Sequence, residues 1–322
     1  MIAVSISVEG TAGLTWASWK RLVSVIPQLG FAGIFCSDHF VPPAPAYPDS
    51  LELMMALGYL ADHTSGIHFG SLVSPLSFRD PVMLTRQAIA LDTLSDGRMI
   101  LGLGAGWNER EHAMFGYQLG DMTTRFARFG DGLAVITRLL EHNQPVSYSG
   151  PFFQLQDAML QPRPARAGGL PILIGGNGPR RTLPLVARYA AIWNALGLLP
   201  DMFRERSRLL DDLLRREGRR PQDVRRTVTI TALCGRTPQE LEQRVAWFRK
   251  GSPEFAAMPL EAVLNIFRGM FQAMVVTPEE LIHTMEDYAA AGADEIMLQW
   301  FGVDDIEGLE LLAEHVLPYV RS

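Results

Sequence analysis

The chain is poor in several of the residues that most often carry chemistry or anchoring. It has two cysteines in 322 residues, Cys36 and Cys234, too few for a disulfide framework or a thiolate metal site and in keeping with a reducing compartment. Its only lysines are Lys20 and Lys250, and neither lies at an expected strand end, which argues against a Schiff-base lyase or isomerase. The seven histidines, His39, His63, His68, His112, His142, His283 and His315, show no metal-ligand spacing. No window offers ~18 uninterrupted apolar residues, and Met1 to Glu9 lacks a basic stretch followed by a long apolar one. The expectation is a cytoplasmic protein without a membrane segment. Formal net charge is −6 with scattered Lys and Arg, so there is no electrostatic footprint for nucleic acid. The densest basic patch, Arg215-Arg216 with Arg219-Arg220, reads as a solvated helix end.

What is present is a regular alternation of short apolar runs and longer amphipathic ones. Strands are expected at Ile2–Val8, Gly33–Ser37, Ile67–Val73, Arg98–Leu103, Leu170–Ile174, around Ala191–Trp193, Thr227–Leu233 and Glu295–Trp300. Helices fall between them. Asp80-Pro81 gives a cap followed by proline at the first helical position, and Thr237-Pro-Gln-Glu240 and Thr277-Pro-Glu-Glu280 match the capping box. Eight such units favour a closed (β/α)8 TIM barrel over an open doubly wound sheet, as one domain over 1–322 with insertions near 145–165 and 251–274. In a barrel, every strand delivers its C-terminal end to one mouth. Asp38-His39, Ser71 to Ser74, Ala105-Gly106-Trp107 and Gly175 to Gly178 are therefore expected to converge.

The stretch Leu94 to Trp107 joins a turn, a buried strand and a glycine-rich strand end. Gly102-x-Gly104-x-Gly106 lacks the spacing of a Rossmann turn. It either lets a flat or phosphorylated ligand touch backbone or serves close packing. The Met- and Phe-rich segment with Phe255, Met258, Phe267, Met270, Phe271 and Met274 reads either as an apolar lid or as ordinary core.

Five motifs recur in order: Gly30-Phe31 through Ser37-Asp38-His39-Phe40; Phe69 to Pro75 with Arg79-Asp80-Pro81; Leu91 to Arg98; Gly102 to Trp107; and Ile174-Gly175-Gly176-Asn177-Gly178. With them the chain resembles the luciferase-like monooxygenase superfamily, in its branch of deazaflavin (F420)-dependent oxidoreductases. The resemblance implies a tricyclic cofactor in the barrel mouth, against a strand-three bulge whose non-proline cis peptide would be Leu72–Val73. Ser71, Leu72, Val73, Ser74, Ala105, Gly106 and Trp107 would then surround the cofactor.

On the same resemblance, Asp38 and His39 touch the ring and handle the proton that accompanies hydride transfer, a task suited to imidazole with its pKa of ~6.5. The plainer alternative is a histidine closing a turn. Gly175, Gly176, Asn177 and Gly178 form the phosphate cradle, helped by Arg180 or Arg181 at a helix start, or else a simple glycine-rich turn. Trp107 stands where sugar-phosphate-oxidising members carry an acid. Of the two nearby acids, Glu109 and Glu111, Glu111 is the third catalytic candidate, although both also suit a helix N-terminus. The Pro42-Pro43 segment and Leu198 replace an aromatic and a basic residue of those members. The implied substrate is accordingly a small, non-phosphorylated organic molecule, with F420 as cofactor. Alternatives are a reduced-FMN monooxygenase and a non-catalytic flavin-binding barrel. A homodimer through helices near strands two and three is the default expectation.

Overall fold

A computed structural model describes residues 2–44, 46–166, 168–250 and 253–320. Eight parallel strands close into a barrel: β1 (Ala3–Val8), β2 (Gly33–Cys36), β3 (His68–Ser71), β4 (Met99–Gly104), β5 (Ile172–Gly175), β6 (Ile192–Leu196), β7 (Arg225–Cys234) and β8 (Glu295–Trp300). Each pairs with the next, and β8 pairs with β1, so no edge is left open. Helices follow the strands, and the expected barrel is the observed one.

Alternation along the strands sorts their side chains into two cores. In β1, Val4, Ile6 and Val8 face outward into the layer shared with the helices. Inside the barrel, Phe35, Ile100, Leu173, Ile192 and Met297 pack together, with Leu72 and Val73 resting on them. The β6–β7 side of the interior is polar: the Asn194 amide donates to Thr227 Oγ1 at 2.9 Å, and Thr229 Oγ1 donates to Asn194 Oδ1 at 3.1 Å. At the N-terminal end, Glu295 closes the barrel. It accepts from the Ser5 hydroxyl, pairs with His68 Nε2 at 2.8 Å and meets Arg225 Nη2 at 2.6 Å.

The cap signals work as read. Asp80 accepts from Met83 N–H with Pro81 first in the helix Pro81–Leu94, and Thr277 and Glu280 bond reciprocally at the start of Pro278–Ala290. At the other box Thr237 Oγ1 accepts from Glu240 N–H, but the Glu240 carboxylate takes the Arg236 N–H. The hairpin Val146–Ser149 with Gln154–Ala158 is present. Asp131 of the helix Met122–Glu141 pins it by accepting from the Phe152 and Phe153 N–H groups at 2.8 and 2.9 Å.

Four differences have local causes. Strand three stops at Ser71, short of the expected Val73; the Leu72–Val73 peptide is cis, as the resemblance implied, and the strand resumes as Ser74–Pro75 against β4. The closing helix ends at His315, because Val316 leaves helical geometry before Leu317-Pro318. A short helix, Glu109–Phe115, stands where no helix was bounded. The second insertion holds a helix, Leu260–Met270, and a short strand, Met274–Val276, paired with the end of β7. Among the described residues no helix is long and apolar enough to cross a membrane.

Candidate active site

The strand ends bring Glu111 to His39. Glu111 lies one turn into the helix Glu109–Phe115 beyond β4, fully buried. Its carboxylate oxygens stand 2.9 and 3.1 Å from His39 Nδ1, and one also accepts the Phe40 N–H at 3.1 Å. Burial alone would lower the imidazole pKa. The Glu111 hydrogen bond, with the charges of Glu9, Glu111 and Asp38, outweighs it and holds His39 above its ordinary value. Trp107, 57% exposed, sets its ring edge-on to His39 with centroids 5.5 Å apart.

Asp38, which the resemblance implied beside the ring, is paired with an arginine. It is buried, and both its oxygens are taken by Arg79, with Nε donating at 2.9 Å and Nη2 at 2.7 Å. Arg79 also reaches Glu52 at 2.8 Å. A carboxylate held in a bidentate guanidinium fork anchors the loop that carries His39. Arg79 was legible only as part of a motif, not as this partner.

The three alternating glycines serve packing. A Cβ at Gly102 would overlap the Ser71 carbonyl, one at Gly104 would lie 2.6 Å from Val73 Cγ2, and one at Gly106, where φ is +83°, would overlap Ser77 Oγ. A Cβ at Gly175 would likewise lie 3.0 Å from Val73 Cγ1. Gly102, Gly104 and Gly175 thus make room for the strand-three bulge. Ser71 is fully used, donating to the Gly102 carbonyl at 2.7 Å and accepting its N–H at 3.0 Å. Ser74 Oγ is buried without a hydrogen-bond partner among the described residues. Leu72 and Val73 offer half-buried apolar surface. Ala105 packs against the outer core, and the Gly106 carbonyl accepts from Arg125.

The loop after β5 is built differently from a simple helix-end cradle. The first N–H groups of the helix Thr182–Tyr189, those of Thr182 and Leu183, both bond the Gly178 carbonyl at 3.0 Å. Gly176 N–H goes to Asn194, and the Asn177 side chain pairs with the Leu196 backbone at 2.7 and 3.0 Å. The N–H groups of Asn177, Gly178, Arg180 and Arg181 lack acceptors among the described residues. A cavity of about 300 Å³ opens beside them, lined by Met122, Phe126, Gly178, Pro179, Arg180 and Arg181.

The Met/Phe segment is mostly core. Phe267 is fully buried with Val245, Val263 and Leu264, and Phe255 stacks on Phe248 at 4.3 Å. Phe271 alone of that stripe meets Phe301, just beyond β8, with centroids 4.7 Å apart, while Met270 is 67% exposed. Glu9, at the end of β1, is a mouth carboxylate that the sequence reading missed, because it belongs to no motif. Among the described residues no group of three or more His, Cys, Asp or Glu is placed to hold a metal ion.

Fold and site together define a (β/α)8 barrel with a histidine–carboxylate pair, an apolar bulge and a glycine-rich loop at its strand ends. The pattern of the luciferase-like monooxygenase family matches residues 1–295, and the chain belongs to that family of enzymes. It is similar to 4-hydroxyprotoasukamycin monooxygenase of Streptomyces nodosus subsp. asukaensis, 32% identical over 56% of this chain and 48% of that protein. The F420-dependent glucose-6-phosphate dehydrogenase of Intrasporangium calvum is 26% identical, with 92% of each chain covered. Among solved structures, an F420-dependent secondary alcohol dehydrogenase with an F420-acetone adduct superposes over 100% of this chain and 99% of that one at TM-score 0.83 and 17% identity. A long-chain alkane monooxygenase does so over 98% and 90% at TM-score 0.79 and 15% identity.

Proposed function

We propose that this protein is an F420-dependent oxidoreductase acting on a small, non-phosphorylated organic substrate, with His39 as its proton-handling residue. The observation that carries the reading is the His39–Glu111 pair. A buried carboxylate occupies Nδ1, which fixes the ring and leaves Nε2 as the nitrogen for proton exchange. The F420 relatives, matched over nearly the whole chain, support the cofactor.

The residues present fit such a group. Leu72, Val73 and Trp107 offer apolar surface to a flat ring, and the orphaned Ser74 hydroxyl is a buried polar atom at the same bulge. The free N–H groups of Asn177, Gly178, Arg180 and Arg181 and the two arginines beside the cavity suit a phosphate. When bound, F420 would supply the two-electron acceptor or donor for hydride transfer. His39 takes the proton when an alcohol is oxidised and returns it when a carbonyl is reduced. Oxidation needs neutral imidazole and rises with pH, whereas reduction uses the imidazolium that Glu111 favours. Asp38 holds the loop through Arg79, and Glu111 orients the imidazole.

A second reading, a reduced-FMN monooxygenase, draws support from the 32% identical monooxygenase relative. We further infer one domain over 1–322, a cytoplasmic location that keeps both buried thiols reduced, and a homodimer. A monomer mass that does not change with concentration in light scattering contradicts the dimer. Fluorescence titration with F420 and FMN, each oxidised and reduced, separates the cofactor readings. Tight F420 binding with weak FMN is expected. The reverse assigns oxygen-dependent monooxygenation, and binding of neither contradicts both.

A further inference from the structure

Strand alternation in β1 aims a second carboxylate at the mouth. Val4, Ile6 and Val8 pack outward, Ser5 turns inward to Glu295, and Glu9 continues the inward phase just past the strand. One of its oxygens is clamped. Oε1 accepts from the Ser37 hydroxyl at 2.7 Å, the Thr11 hydroxyl at 2.9 Å and the Thr11 N–H at 3.2 Å. Oε2 has no protein donor among the described residues. Ser37 accepts the Gly10 N–H at 2.9 Å, so the clamp spans the end of β1 and the segment that carries Asp38 and His39.

The charges around it set what this end of the mouth accepts. Glu111 is spent on His39 and Phe40, and Asp38 is matched by Arg79. Arg110 is turned to the Pro42 carbonyl and Arg125 to that of Gly106, while Arg180 and Arg181 belong to the loop after β5. Glu9 also helps to hold the His39 pKa up, which places the two groups in one electrostatic neighbourhood.

We propose that Glu9 Oε2 is the substrate-facing acceptor of this site, selecting a hydrogen-bond donor such as an alcohol or an amine and turning away carboxylates and phosphates. An immobilised carboxylate with one open oxygen accepts a charge-assisted hydrogen bond from a hydroxyl or ammonium at little ordering cost. An anionic group there faces like charge, and the guanidinium groups of Arg79, Arg110 and Arg125 are directed elsewhere. This inference rests on the active-site reading above and names the substrate class of that site.

The test uses three probes that share a ring and differ in one group: benzylamine, benzyl alcohol and benzoate. Each is titrated calorimetrically into the protein, with and without F420. Benzylamine and benzyl alcohol are expected to bind, with benzoate weaker than benzylamine by about tenfold or more. Glu9→Gln is expected to cost benzylamine about tenfold and to narrow its gap to benzoate, with F420 affinity unchanged. Equal binding of benzoate and benzylamine, binding of none of the three, or discrimination unchanged in Glu9→Gln overturns the proposal. Should Glu9→Gln fail to fold, Thr11→Val keeps the carboxylate but removes one clamp. It is expected to weaken benzylamine about threefold, and no change contradicts the proposal. Loss of F420 binding alone speaks against the proposed function, because the probe titrations on cofactor-free protein still read Glu9.

Discussion

Gly104 leaves the space that Val73 fills: a Cβ there would stand 2.6 Å from Val73 Cγ2, on the bulge that offers its apolar face to the mouth. Gly104→Ala is therefore an overpacking substitution costing about 1–3 kcal/mol. It is expected to weaken cofactor binding by pushing Val73 toward the ring. Gly104→Ala combined with Val73→Ala should recover stability relative to Gly104→Ala alone, read as denaturation midpoints. Simple additivity of the two costs would show that the contact is not the cause.

Arg79 is expected to matter for stability more than for proton transfer. Removing it in Arg79→Met leaves the Asp38 carboxylate buried and unpaired, at a cost of about 3–5 kcal/mol. Asp38→Asn with Arg79→Met should restore part of that loss, because no uncompensated charge remains. Urea denaturation of the two single variants and the double variant measures the coupling. A loss below about 1 kcal/mol for Arg79→Met would place the pair among surface ion pairs of little consequence.

Glu295 should make the barrel acid-sensitive. Burial would raise its pKa, but hydrogen bonds from His68 and Ser5 and the charges of His68 and Arg225 hold it below 4.5. A depressed carboxylate contributes stability above its unfolded pKa, and that contribution is lost as pH falls through the folded value. The thermal midpoint of the wild type should thus drop between about pH 5 and 3. Glu295→Gln should start lower near neutrality and change less over the same range. Parallel curves would contradict this assignment.

The barrel was legible because alternation and caps are local signals. Asp80-Pro81 and Thr277 to Glu280 announce their helices, and the apolar runs announce the strands. The strand-three bulge was legible only by resemblance, since nothing in Ser71 to Ser74 itself marks a break. Site pairings are non-local, so the sequence named His39, Asp38 and Glu111 without saying which partner each would meet. Asp38 and Arg79 lie 41 residues apart, and His39 and Glu111 lie 72 apart. Composition cannot tell which carboxylate goes to the guanidinium and which to the imidazole. Glycine spacing was equally ambiguous until Gly102, Gly104 and Gly175 were seen against Ser71 and Val73. Glu9 carried no local signal except its phase in β1, which puts it on the same face as Ser5 and Ser7.

Glu111 holds a proton at His39. Titration of the His39 ring resonances by NMR, assigned with His39→Gln, measures it without any substrate. The pKa should lie above 6.5 in the wild type and fall in Glu111→Gln, which removes the hydrogen-bonded charge. The raised value also stabilises the fold below the unfolded pKa, an effect lost as pH rises through the folded one. A His39 pKa at or below 6.5, unmoved by Glu111→Gln, would contradict the pairing and the proton-handling role built on it.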